Sequence, residues 1–146
     1  MKKAKNTELH MHRYTALIDG DAGSYGVSFP DLPGCVAMGK SVEEAMLRAA
    51  EALREFDADT AARGQALPGP RTAETLLQDA EGGAALKAGA SFASVPLVRE
   101  TGRSVKANLS INAGVLAAID AEAARRGLTR SALIETFARH SLAEMA

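Results

Sequence analysis

"KANLSI", residues 106–111, alternates without exception: Lys106, Asn108 and Ser110 fall on one side of an extended chain, and Ala107, Leu109 and Ile111 on the other. The pattern predicts a strand with one wet and one dry face, yet no second strand lies near enough in sequence to pair with it. Two helical patterns follow at once. Asn112 can cap a first helix with Val115, Leu116, Ile119 and Ala123 on its inward face. Arg125 and Arg126 suit the last turn of that helix and Gly127 the residue after it. Thr129 can cap a second helix with Leu133, Ile134, Phe137 and Ala138 as its apolar face. Strand, helix and helix in about 40 residues bury too little core alone, so the segment predicts an obligate dimer. Residues 104–111 of two copies would then pair about a two-fold axis as an antiparallel ribbon.

Such a ribbon turns Lys106, Asn108 and Ser110 outward, narrow enough to enter a DNA major groove. Lysine donates to guanine O6 and N7, asparagine makes a bidentate pair with adenine, and serine serves either base. The free amides near Thr129, Arg130 and Ser131 at the start of the second helix form a phosphate-binding site, with Arg130 adding charge. Arg125 and Arg126 are read as partners of the helix dipole ahead of DNA contacts.

Upstream, "YTALID" (14–19) and "YGVSF" (25–29) flank the turn residues "GDAGS" and predict a hairpin; "PDLPG" (30–34) ends the pairing and "CVAM" (35–38) offers a third strand. Ser41 and Glu44 form a capping box ahead of a helix whose stripe is Val42, Ala45, Met46, Ala49, Leu53 and Phe56, ended by Gly64. Residues 72–81 predict a short helix, 82–91 a loop or weak helix, and "SVPLV" (94–98) a fourth strand placed at an edge by Pro96. The charged "RETGR" (99–103) separates two regions, giving domains of 1–98 and 104–146. The fold class expected is α+β, with a small antiparallel sheet and packed helix first and a ribbon and two helices last.

Charge is split: residues 1–98 hold 10 Lys/Arg against 13 Asp/Glu, net −3, and residues 99–146 hold 7 against 5, net +2. That permits polyanion contact at one end without demanding it. The stretch 43–59 has 6 acidic against 2 basic residues and reads first as a solvated helix face, second as an attractant for a basic partner. Asp19, Asp21 and Asp31 are the carboxylates an active nuclease would need for divalent ions, but their places in turns favour backbone hydrogen bonding. His10 and His12 lack a second ligand pair, and Cys35, the single cysteine, reads as a core residue, so no metal, cofactor or catalytic residue is expected. No run is long enough to span a membrane and no signal core follows Lys2, Lys3 and Lys5, so the expected compartment is the cytoplasm.

The segment "VKANLSINAGVLAAIDAEAARRGLTRSALIETFA" (105–138) resembles a ribbon-helix-helix domain, and "YGVSFPDLPGCVAMGKSVEEAMLRAAEAL" (25–53) resembles the HicB antitoxin family, which carries both parts in this order. Asn112 stands where the family often has proline, and residues 72–98 match nothing distinctive. The resemblance implies a partly degraded ribonuclease-H-like N-terminal fold without catalysis. It further implies binding and inhibition of a HicA-like RNA-cleaving toxin, and repression of the protein's own operon through a C-terminal dimer on operator DNA. Two other readings stay open: a ribonuclease-H-like nuclease using Asp19 and Asp31, and a ribbon-helix-helix repressor whose N-terminal domain senses a small molecule.

Overall fold

A computed structural model describes residues 12–100 and 102–144. The chain divides into two compact units, one taking in the described residues up to Arg99 together with Ala143 and Glu144, and one spanning Glu100–Leu142.

The first unit is built on β1 (His12–Asp21), β2 (Ser24–Ser28), β3 (Val36–Gly39) and β4 (Ser91–Leu97), all antiparallel neighbours in the order β3-β2-β1-β4. Helix α1 (Val42–Ala62) follows β3, and α2 (Ala73–Gln78) and α3 (Ala80–Lys87) precede β4. Alternation along β1 sends Tyr14, Ala16 and Ile18 to one face, where register aligns Tyr14 with Val95, Ala16 with Ala93 and Ile18 with Val27. Against that face α1 lays Ala45, Met46, Ala49 and Leu53, all buried. The stripe expected from the sequence is met except at Val42, which is 40% exposed in the first turn, and it continues to Thr60. Thr60 is tolerated in the interior because its hydroxyl donates to the Phe56 carbonyl at 2.7 Å.

The hairpin turn is two residues long, Ala22 and Gly23, with Asp21 opposite Ser24. Gly20 takes φ +113°, and a Cβ there would lie 2.2 Å from the Ser24 carbonyl oxygen, so only glycine fits. The "PDLPG" segment ends the pairing as expected, and it also fills the core. Leu32 donates its amide to the Phe29 carbonyl and Cys35 to the Leu32 carbonyl, both at 3.0 Å, and these turns bury Phe29, Leu32 and Cys35 together. Burial pushes the Cys35 thiol up to about 11, so it stays protonated and is no nucleophile.

Ser41 caps α1 by accepting from the Glu44 amide at 3.1 Å, while the Glu44 carboxylate reaches back to the Lys40 amide at 2.7 Å, one residue before the cap. Gly64, at φ +73°, follows the helix end. Two expectations need correction between 72 and 94. The helix expected over 72–81 ends at Gln78, and of the two readings for 82–91, loop or weak helix, the helix holds as far as Lys87, because Gly82 lets α3 close onto α2: a Cβ at that position would lie 2.2 Å from the Leu76 carbonyl oxygen. And β4 starts at Ser91, where Ser91 opposite Ile18 extends the ladder beyond the expected residue 94.

The second unit holds α4 (Ala113–Arg126) and α5 (Arg130–Glu144) as far as Leu142. Residues 103–112 form no strand, since no described segment supplies the backbone hydrogen bonds a strand requires. No helix among the described residues is long and apolar enough to cross a membrane.

Leu53 is fully buried beneath the sheet, so Leu53→Ala should cost about 2 to 5 kcal/mol in urea unfolding. The Cys35 thiol should be inert to a disulfide reagent at pH 8 in the native protein and react at once in denaturant. Its folded value is raised, so the stability it contributes is complete below the ordinary thiol range and is lost as pH climbs toward about 11.

Candidate functional site

Lys106, Asn108 and Ser110 are exposed, and so are the residues alternating with them: Val105 is 77% and Leu109 67% open to solvent, with Ile111 half-buried. Exposure continues onto the helices. Val115 is 53%, Leu128 41% and Phe137 41% exposed, although the sequence places Val115 and Phe137 on inward faces; only Ala123 and Leu133 of those faces are fully buried.

The helix ends are closed as the sequence predicts. The Asn112 side chain accepts from the amides of Gly114 at 2.9 Å and Val115 at 3.4 Å. At the other end of α4, Gly127 takes φ +66° and the amides of Gly127 and Leu128 return to the carbonyls of Ala124 and Ala123, the double closure of a Schellman turn. Thr129 accepts from the Ala132 amide at 3.1 Å, which leaves the first α5 amides, at Arg130 and Ser131, without an intrahelical acceptor. The start of α5 is therefore capped by Thr129 and keeps its first two amides free of intrahelical bonds.

Its cation is otherwise engaged. The Arg130 guanidinium donates to both carboxylate oxygens of Asp120, at 2.7 and 2.8 Å, and this pairing holds Asp120 below the usual carboxylate range and Arg130 above its own. Glu122 accepts from Arg125 and Arg126, which together bring its carboxyl down to about 2, and Arg126 also lies 5.6 Å from the Phe137 ring centroid. Arg139 pairs with Glu100 and Glu135. Across the second unit the arginines of the helices are thus neutralised locally. Arg103 and Lys106 have no ion-pair partner among the described residues, and both belong to the extended segment. The role of Asp120 was not legible in the sequence, because a contact ten residues apart between two helices has no periodic signature.

In the first unit the carboxylates do not gather. Asp31 accepts from the Arg71 amide at 2.8 Å and from its guanidinium, while Asp19 and Asp21 are exposed along β1. No group of three His, Cys, Asp or Glu that could hold a metal ion occurs among the described residues. His12 opens β1, and His10 lies outside the described residues. On α1, Glu43, Glu51, Glu55 and Asp59 are exposed, whereas Glu44 pairs with Arg48 and Asp57 takes two hydrogen bonds from Arg99, at 2.8 and 3.0 Å. Val36 and Met38, 61% and 60% exposed on the edge strand β3, form an apolar pair that the short "CVAM" pattern does not assign to a face.

A protein-family model described as HicB_like antitoxin of bacterial toxin-antitoxin system matches residues 14–138. Among solved structures, the chain is similar to the antitoxin HicB of Burkholderia pseudomallei, with 28% identity, a TM-score of 0.50, and coverage of 93% of this chain and 100% of that one. It is also similar to the antitoxin HicB3, with 25% identity, a TM-score of 0.51, and coverage of 89% and 97%. No curated protein matches the chain.

The two guanidiniums around Glu122 can be tested by NMR titration of its side chain. The midpoint should lie at about 2 and return toward 4.5 in the Arg125→Ala, Arg126→Ala double variant. Because the folded value is depressed, the pair contributes above the ordinary glutamate range and is lost as pH falls toward about 2.

Proposed function

The chain belongs to the HicB-like antitoxins of bacterial toxin–antitoxin systems, and on that footing we propose that it neutralises a small HicA-like, RNA-cleaving toxin and represses its own operon as a DNA-bound dimer. The first unit does the masking, by steric and electrostatic occlusion without catalysis. The second unit pairs residues 104–111 of two copies into a ribbon, buries Leu109 and Ile111 with the exposed apolar residues of α4 and α5, and presents Lys106, Asn108 and Ser110 to base edges. Thr129, Arg130 and Ser131 anchor the flanking phosphates.

The observation that carries the DNA half is the distribution of cations: with the helix arginines held by carboxylates, Arg103 and Lys106 are left in the same segment as the base-reading side chains. For the toxin half, support comes from family membership together with the exposed acidic residues Glu43, Glu51, Glu55 and Asp59, which suit a partner that must itself hold RNA phosphates. The nuclease reading draws no support from Asp31, whose carboxylate is taken by Arg71.

Asn108→Ala should lose about 1 to 3 kcal/mol on the operator and little on random duplex, whereas Arg130→Ala should weaken both. Equal losses on the two duplexes for Asn108→Ala would remove its base-reading role. For the toxin, coexpression with the short frame adjacent to this gene should give a complex of defined mass without ribonuclease activity. Magnesium-dependent cleavage of RNA by this chain alone, abolished by Asp19→Ala, would refute the antitoxin reading.

A further inference from the structure

Arg130 opens α5, beside the free amides, and its guanidinium is already gripped: Nε donates to Asp120 Oδ1 at 2.7 Å and Nη2 to Asp120 Oδ2 at 2.8 Å. A guanidinium fork receives two oxygens of a carboxylate or of a phosphate in nearly the same geometry, so the two ligands exclude one another at those donors. Both side chains are open to solvent, 54% exposed for Arg130 and 44% for Asp120. An ion pair so exposed contributes little to folding. Its larger effect is local: it places a full negative charge against the phosphate-facing end of α5 and cancels the one side-chain cation there.

We propose that Asp120 sets the affinity of this protein for DNA, its carboxylate acting as an internal competitor that backbone phosphate must displace from Arg130. The inference rests on the second unit being a DNA-binding dimer and adds a residue outside the reading surface to it. Glu122 does not share the role, because it holds Arg125 and Arg126 at the C-terminal end of α4. Lowered affinity for phosphate of any sequence has a use in a repressor, since the genome is mostly non-specific competitor and base contacts must decide occupancy.

Wild type, Asp120→Asn, Asp120→Ala, Arg130→Ala and the Asp120→Asn, Arg130→Ala double variant would be titrated by fluorescence anisotropy. Each would meet a duplex from upstream of the gene and a random duplex of equal length, over a series of salt concentrations. Asp120→Asn and Asp120→Ala should each bind both duplexes tighter, on the order of 3- to 10-fold, because a repelling charge is gone and a cation released. The slope of log affinity against log salt should steepen by about one, the signature of one more neutralised phosphate. The gain from removing Asp120 should be smaller once Arg130 is alanine, because only the repelling charge is then lost and no cation is released. Wild type that binds while neither Asp120 variant binds tighter, with circular dichroism and solution mass unchanged, overturns the competitor alone; wild type that binds neither duplex overturns the DNA reading with it.

Discussion

The first unit depends on how closely the end of β3 approaches the first turn of α1. A Cβ on Gly39 would lie 2.3 Å from the Ala45 amide nitrogen, so the contact exists only because residue 39 has no side chain and residue 45 has a single methyl. With backbone set against backbone there, α1 is held close enough for Ala49 and Leu53 to join the buried cluster on the dry face of β1 and β2. Ser41 and Glu44 fix the direction in which the helix leaves. Further along, Asp57 of α1 holds Arg99, so the same helix that covers the sheet also anchors the chain just after β4.

How far the sequence reveals this depends on the range of the interaction. The hairpin, the α1 stripe and the caps at Ser41, Asn112, Gly127 and Thr129 are local: a side chain or a φ angle meets backbone within five residues, and such contacts leave a spacing that can be read. Leu32 is the counter-example within a local motif, a core residue lodged in a segment whose prolines and glycine signal only a break in pairing. Arg71 with Asp31, Tyr14 with the Pro68 carbonyl and Arg130 with Asp120 join residues 40, 54 and 10 positions apart, and no periodicity announces them. The Gly/Ala-rich stretch leaves loop and weak helix both open for a related reason. Its glycines weaken a helix in isolation, and only the close packing of Gly82 on Leu76 makes α3 favourable.

The candidate site was legible as a list of residues and illegible as an electrostatic field. Composition gives the second region a small positive charge, and counting cannot say where that charge is available. The structure pairs most of it internally: Glu122 and Asp120 between them engage three arginines of α4 and α5, while Arg103 and Lys106 have no ion-pair partner among the described residues. A feature as weak as two net charges over 48 residues thereby acquires a position.

The two edges of the sheet show the same economy in a different medium. On β4 the ring nitrogen of Pro96 carries no hydrogen, and on β3 the Met38 carbonyl is occupied by Arg48, which donates to it at 3.2 Å from α1. Each margin of the sheet thus has one rung removed from the ladder an incoming chain would climb. A sheet terminated at both sides is a poor template for growth without limit, whatever else binds its exposed apolar residues.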